Sequence, residues 1–224
     1  MLLLAINTSG KQGSIALAQA GEGAADVEII EEVSLAGGTF SAQLVPQIAG
    51  LLSHNKFAKN DIGAFAVASG PGSFTGLRIG LAAVKALAEV LQKPIAAVSL
   101  LEVCAFSSGE PGKVMAALDA GRNDVYVGDY EIPGNGEVPR ESLLTRSEFL
   151  SQARGSTVVT PDSLLAEAAG SAGLSVVHLP PISAVAVARL GWRKIKSGET
   201  VTPELLEANY IRRTDAEMLE RIGQ

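Results

Sequence analysis

The sequence predicts an α/β protein of two similar halves, on three observations. Short alternating or β-branched runs open the chain as three consecutive strands. Apolar segments at helical spacing then interleave with further strands. From about residue 113 the order of elements roughly repeats, without any repeat of the residues themselves. The expected lobes are 1–106 and 107–224, joined near Ser107 to Gly112, and a single doubly wound sheet is the alternative.

In chain order, "LLLAIN" (2–7), "GSIALAQ" (13–19) and "VEIIEEVSL" (27–35) read as an antiparallel start separated by glycine-rich turns. "FSAQLVPQIAGLLSHN" (40–55) places Leu44, Ile48, Leu51 and Leu52 on one helical face, with Pro46 implying a kink or a late start. "AFAVAS" (64–69) suits a strand buried on both faces. A helix from about Thr75 to Leu91 and the strand "PIAAVS" (94–99) complete a β-β-β-α-β-α half. The second half starts again with "KVMAALDA" (113–120), "DVYVGDYEI" (124–132) and "EVPRESLL" (137–144). "RSEFLSQA" (146–153), "STVVT" (156–160), "PDSLLAEAAGSA" (161–172), "LSVVHL" (174–179) and "SAVAVARLGWRKIKSG" (183–198) then alternate helix and strand, with Trp192 anchoring the last amphipathic helix.

Composition narrows the class. At 224 residues, 47% hydrophobic and 19% charged, the chain can bury a sizeable core. No stretch reads as a membrane span or signal peptide, since Lys85 and Glu89 interrupt the longest apolar run and "MLLLAIN" is short and lacks a basic flank. The lone Cys104, in "LLEVCAFS", reads as a buried position of a short helix, and the expected compartment is cytoplasmic. A net charge of −6 and a pI near 5.0 argue against a nucleic-acid surface, for which clustered Lys and Arg are needed; only "YIRR" (210–213) is locally basic.

The segment "SGPGSFTGLRIGLAAVKALAEVL" (69–91) sets a glycine-rich turn between a strand and a helix, the geometry that presents free N–H groups to phosphate. Its details fit none of the phosphate or nucleophile motifs. No Lys follows the second glycine of a Walker spacing, Thr75 stands where a dinucleotide fingerprint needs glycine, and G-x-S-x-G is absent. Gly70, Pro71 and Gly72 therefore read as a tight structural turn, with Ser73 or Thr75 capping the helix. Gly76 and Gly80 fall inside that helix, each costing about 1 kcal/mol relative to alanine. Together with Ala83 they form a bare stripe that another element can approach closely. The spacing leaves open whether that element is the protein's own sheet or a helix of another chain.

"ASGPGSFTGLRIGLAAVKALA", the opening "LLLAINTS", "ALDAGRNDVYVGDY" (117–130) and "NYIRRTDAE" (209–217) together resemble the TsaB family, formerly YeaZ. The four segments occur in order and span nearly the whole chain. The resemblance implies two ribonuclease-H-like halves of the actin/Hsp70/sugar-kinase (ASKHA) fold. It implies a non-catalytic subunit in threonylcarbamoyladenosine synthesis on tRNA, pairing with a catalytic TsaD-like paralogue through its N-terminal helices beside a TsaE-like ATPase. On this reading the chain is a homodimer when alone and reaches tRNA only through the complex. The partner interface would comprise Gly76, Arg78, Gly80, Ala83, Leu44 and Ile48. The chain departs from the family pattern at Asn7, where an aspartate is usual, at Phe40, where many relatives have histidine, and at Gly121, which displaces Arg122 by one residue.

The residues themselves offer little catalytic chemistry. His54 and His178 lack a second ligand at metal spacing, and no H-E-x-x-H occurs. Asp119, Arg122, Asp124 and Tyr126 form the best polar cluster, which a solvated strand-turn-strand explains equally well. A scaffold without cofactor or metal is the expected class; an ATP-dependent phosphotransferase or a metallopeptidase-like hydrolase of the same fold is the alternative.

Overall fold

Apolar strands follow one another closely at the N-terminus and give the first sheet. In the computed structural model, which describes residues 1–21, 23–134 and 139–211, β1 (Leu2–Asn7), β2 (Gly13–Gln19) and β3 (Glu28–Leu35) are joined by β4 (Ile62–Gly70) and β5 (Ile95–Ser99) in the order β3-β2-β1-β4-β5. β2 pairs antiparallel with β1 and β3, while β4 runs parallel to β1 and to β5. The second sheet repeats this plan. β6 (Gly112–Gly121), β7 (Asp124–Ile132), β8 (Arg140–Thr145), β9 (Thr157–Thr160) and β10 (Val176–His178) lie in the order β8-β7-β6-β9-β10, with the same pattern of parallel and antiparallel pairs. Three antiparallel strands followed by two parallel ones, twice over, is the pair of ribonuclease-H-like halves of the ASKHA fold. The alternative of one doubly wound sheet does not apply.

Every residue of β1 is buried, as expected of a central strand covered on both faces. Its alternation sorts large from small side chains. Leu4 and Ile6, with Leu17, Phe65 and Val67, face α1 (Phe40–His54) and α2 (Phe74–Leu91). Leu3 and Ala5, with Ala16, Ala64, Ala66 and Ala96, form a shallow face on the other side. There α6 (Ala184–Ser197) lies close enough that a Cβ on Gly191 would fall 2.4 Å from that of Ala66. Trp192 is buried in this layer, its indole N–H donating to the Ala24 carbonyl at 3.1 Å. Although α6 follows the second sheet in sequence, it packs on the first.

α3 (Leu100–Ser107), capped by Ser99, packs between the sheets; α4 (Arg146–Gln152) and α5 (Ser163–Ser171) serve the second one. Cys104 lies fully buried on α3, and burial pushes its thiol up to about 12, which fits a core position. α1 begins at Phe40, well before Pro46, so the expected late start is corrected: the proline lies inside the helix. After α6 the chain returns over the first lobe, where Val201 bridges Ile95 and Leu206 enters the core. Among the described residues, no helix is long and apolar enough to cross a membrane.

Candidate functional site

The end of β1, the start of α2 and the β6–β7 hairpin meet at a cleft between the two lobes. Serine at 73 and glycine at 76 shape the helix start: the Ser73 hydroxyl caps α2 by accepting from the Gly76 N–H at 3.3 Å. Thr75, the other candidate cap, is exposed and lines the cleft. The Ser73 N–H donates to the Ser9 carbonyl at 2.7 Å, and the Thr8 hydroxyl donates to the Gly76 carbonyl at 2.7 Å. These bonds clamp α2 onto the loop after β1. A Cβ at Gly72 would fall 2.7 Å from the Ser9 carbonyl oxygen, at Gly76 2.0 Å from that of Thr8, and at Gly80 2.5 Å from the Thr8 hydroxyl. The preceding turn is equally tight, with Gly70 at φ +130° and Pro71 buried.

The glycine stripe thus meets Ile6 at the end of the protein's own first strand and Thr8 just beyond it, which corrects its expected place in an interface with another chain. Spacing of four sets Gly76 and Gly80 on one face of α2, and that face is the one turned toward Thr8. Leu44 and Ile48 are likewise 1% and 5% exposed, deep in the core beneath α1, and Ala83 packs half-buried against the same cluster. Of the six residues assigned to a partner surface, only Arg78 stands exposed.

The cleft, about 610 Å³, is lined by Ser9, Lys11, Phe40, Thr75, Asp119 and Tyr126, among others. Asn7, the last residue of β1, is buried, and both ends of its amide are engaged. Nδ2 donates to the Ile182 carbonyl at 2.9 Å, and Oδ1 accepts from the Ser9 N–H at 3.1 Å and the Ser9 hydroxyl at 2.6 Å. Asn7 is thereby a structural tie, and its side chain carries no charge with which to hold a cation or accept a proton. Phe40 is buried, its ring against Gly13. Asp119 and Tyr126 reach the cleft, whereas Arg122 does not line it. With Asn123 it forms the hairpin turn at φ +56° and +69°, the left-handed pair that a two-residue turn of primed type uses. His54 pairs with Glu31 at 2.9 Å and His178 lies 3.4 Å from the Ser163 hydroxyl, in separate places. Among the described residues, no three His, Cys, Asp or Glu side chains converge as a metal site.

The outward face of α2 is different in kind. Arg78 lies over the Phe74 ring at 3.7 Å, Tyr210 packs on that ring with centroids 5.1 Å apart, and the Tyr210 hydroxyl accepts from Arg78 Nε at 3.2 Å. Phe74 is 37% exposed and Tyr210 41%; Val45 on the neighbouring α1 is 59% exposed. Sequence reasoning missed Phe74, Val45 and Tyr210 as surface residues. The one available signal was Phe74 one turn before Arg78 on the side of α2 away from the glycines. Of the basic run at 210–213, Arg212 and Arg213 lie outside the described residues, as does most of the 209–217 segment.

A family model described as TsaD: tRNA N6-adenosine threonylcarbamoyltransferase matches residues 34–161, more than half of the chain. The Bacillus subtilis (strain 168) tRNA threonylcarbamoyladenosine biosynthesis protein TsaB is 37% identical over 132 residues, which are 58% of this chain and 56% of its own length. The Haemophilus influenzae protein of the same name is 35% identical over 129 residues, 56% of this chain and 52% of its own length. The chain thus spans about half the length of the curated relatives it matches. The solved structure of YeaZ from Pseudomonas aeruginosa superposes with a TM-score of 0.70 at 26% identity, covering 93% of this chain and 99% of that one. With the doubled fold and the four sequence segments, these matches place the chain in its family: it belongs to the TsaB family, also named YeaZ.

Proposed function

We propose that this chain acts in tRNA threonylcarbamoyladenosine biosynthesis as a non-catalytic subunit that docks a catalytic TsaD-like paralogue on the outer face of α1 and α2. It works there beside a TsaE-like ATPase, and it meets tRNA only within the complex. The observation that carries this reading is the exposed trio Phe74, Arg78 and Tyr210. Arginine and large aromatics held in fixed mutual contact are the residue types that dominate binding energy at protein interfaces, because little side-chain freedom remains to be lost. The engagement of Asn7 by Ser9 and by the Ile182 carbonyl supports the non-catalytic part. The net charge of −6 supports indirect contact with tRNA.

The test is titration calorimetry of the purified chain with its TsaD-like paralogue. Arg78→Glu and Val45→Glu, both on exposed positions, should weaken association by about tenfold or more while thermal unfolding stays within a degree or two of the parent. Unchanged affinity in both variants would remove the docking face from α1 and α2. ATP hydrolysis by the isolated chain that is lost in Asp119→Asn would overturn the non-catalytic assignment.

A further inference from the structure

The segment that carries Tyr210 onto α2 is held from the opposite lobe. The Asn209 N–H donates to the Ser69 carbonyl at 2.7 Å, and the Asn209 carbonyl lies 2.8 Å from where a Cβ on Gly70 would be, so its backbone is pressed against the end of β4. Its side chain reaches the other way and donates from Nδ2 to Glu141 Oε2, on β8 of the second sheet. The other oxygen of Glu141 accepts from the Tyr130 hydroxyl at 2.7 Å and from the Ser99 hydroxyl at the end of β5. Burial, and after it the adjacent Glu141 carboxylate, push the Tyr130 phenol well above its ordinary range, which keeps it a proton donor in this cluster. One carboxylate therefore gathers the first sheet, the second sheet and the returning segment.

We propose that Glu141 regulates the docking face of α2: through Asn209 it fixes Tyr210 on Phe74 and Arg78, so that the placement of the second lobe sets the affinity at a surface of the first. This rests on the docking reading given above. The coupling is reciprocal, so a partner seated on Tyr210 also holds the lobes in their present arrangement. The chain of contacts is short: Glu141 to Asn209, one peptide bond to Tyr210, then ring and hydroxyl to Phe74 and Arg78.

Two variants test it. Asn209→Ala removes the link to Glu141 while keeping the backbone bond to Ser69, and Asn209→Asp sets a second carboxylate against the first. Amide exchange at residues 209–211 and affinity for the TsaD-like paralogue are measured together, with thermal unfolding as the check on fold. In Asn209→Ala the exchange should quicken about tenfold, the scale of one hydrogen bond to a charged group. Affinity should fall about three- to tenfold, and Asn209→Asp should exceed both changes. If the aspartate variant does not fold, the alanine variant reads the same two quantities. Unchanged exchange, or faster exchange with unchanged affinity while Arg78→Glu abolishes binding, overturns the coupling and leaves the docking face standing. Faster exchange with neither Asn209→Ala nor Arg78→Glu affecting affinity overturns the docking reading, and with it the regulatory role of Glu141.

Discussion

The two lobes share one strand order and differ in what their helices can do. In the first, α1 and α2 run 15 and 18 residues, and their inner faces are satisfied by Leu44, Ile48, Leu77 and Val84. Their outward faces carry Val45 on α1 and Phe74 and Arg78 on α2, all exposed. In the second, α4 and α5 run 7 and 9 residues and turn Phe149, Leu165 and Ala169 inward, with Leu164 the one large apolar side chain they leave exposed. The duplicated plan has become a lobe with a surface to offer and a lobe that braces it. The glycines of α2 belong to this contrast, because they let the longer helix seat on Thr8 while its opposite side stays available.

The strongest way to break the comparison is to spoil that seat. Gly76→Ala puts a methyl group 2.0 Å from the Thr8 carbonyl oxygen, a backbone atom that cannot swing away. We expect a loss of about 3 kcal/mol or more, on the order of 10 °C in melting temperature by calorimetry. A variant as stable as the parent would mean that α2 is not clamped as described.

A smaller effect is expected at the seam between the lobes. Lys194 on α6 lies 3.0 Å from Glu102 on α3, with side chains 16% and 18% exposed. Burial raises the Glu102 carboxyl above its ordinary value, against the pull of Lys194. Lys194 is itself raised: burial opposes its charge, but Glu102 and Glu199 outweigh that. Lys194→Met should cost about 2 kcal/mol at neutral pH, since Glu102 keeps its charge without its partner. A carboxyl raised in the folded state takes up its proton there first. The deficit of the variant should therefore shrink as pH falls from 7 toward the Glu102 value, whereas at neutral pH it is fully present. Urea melts of both proteins across that range measure it. A deficit independent of pH would assign the loss to packing of the lysine stem.

The smallest effect has the opposite sign. Gly50 in α1 and Gly170 in α5 have open space where a Cβ would stand, so alanine at either should raise stability by about 0.5–1 kcal/mol, most simply seen by chemical denaturation. If Gly50→Ala behaves like Gly76→Ala, helix glycines of the first lobe share a role that geometry does not reveal.

Much of this was legible in the residues. The alternation in "LLLAIN", "GSIALAQ" and "DVYVGDYEI" matches β1, β2 and β7 residue for residue, because strand burial is written into neighbouring positions. Of the two candidate caps, Ser73 and Thr75, it is Ser73 that caps α2, a local bond that short-range sequence can suggest. The glycine stripe was seen but assigned to the wrong neighbour: a spacing of four states that two residues share a face, and only tertiary packing says what that face meets. The Glu141 cluster escaped notice altogether. Its donors Ser99, Tyr130 and Asn209 lie 42, 11 and 68 residues away along the chain, and no local pattern marks them. Residues 199–211 have neither helical nor strand periodicity, so nothing in them marks a return over the first lobe.

The return of α6 to the first sheet has a consequence for synthesis on the ribosome. The alanine face of β1, β4 and β5 is complete once Ser99 has been made, yet Trp192 and Gly191, which cover it, emerge some ninety residues later. The half that begins first therefore finishes last, and for that interval it presents an uncovered apolar layer to chaperones and to other nascent chains. A fragment cut at the link near residue 107 would hold that state permanently.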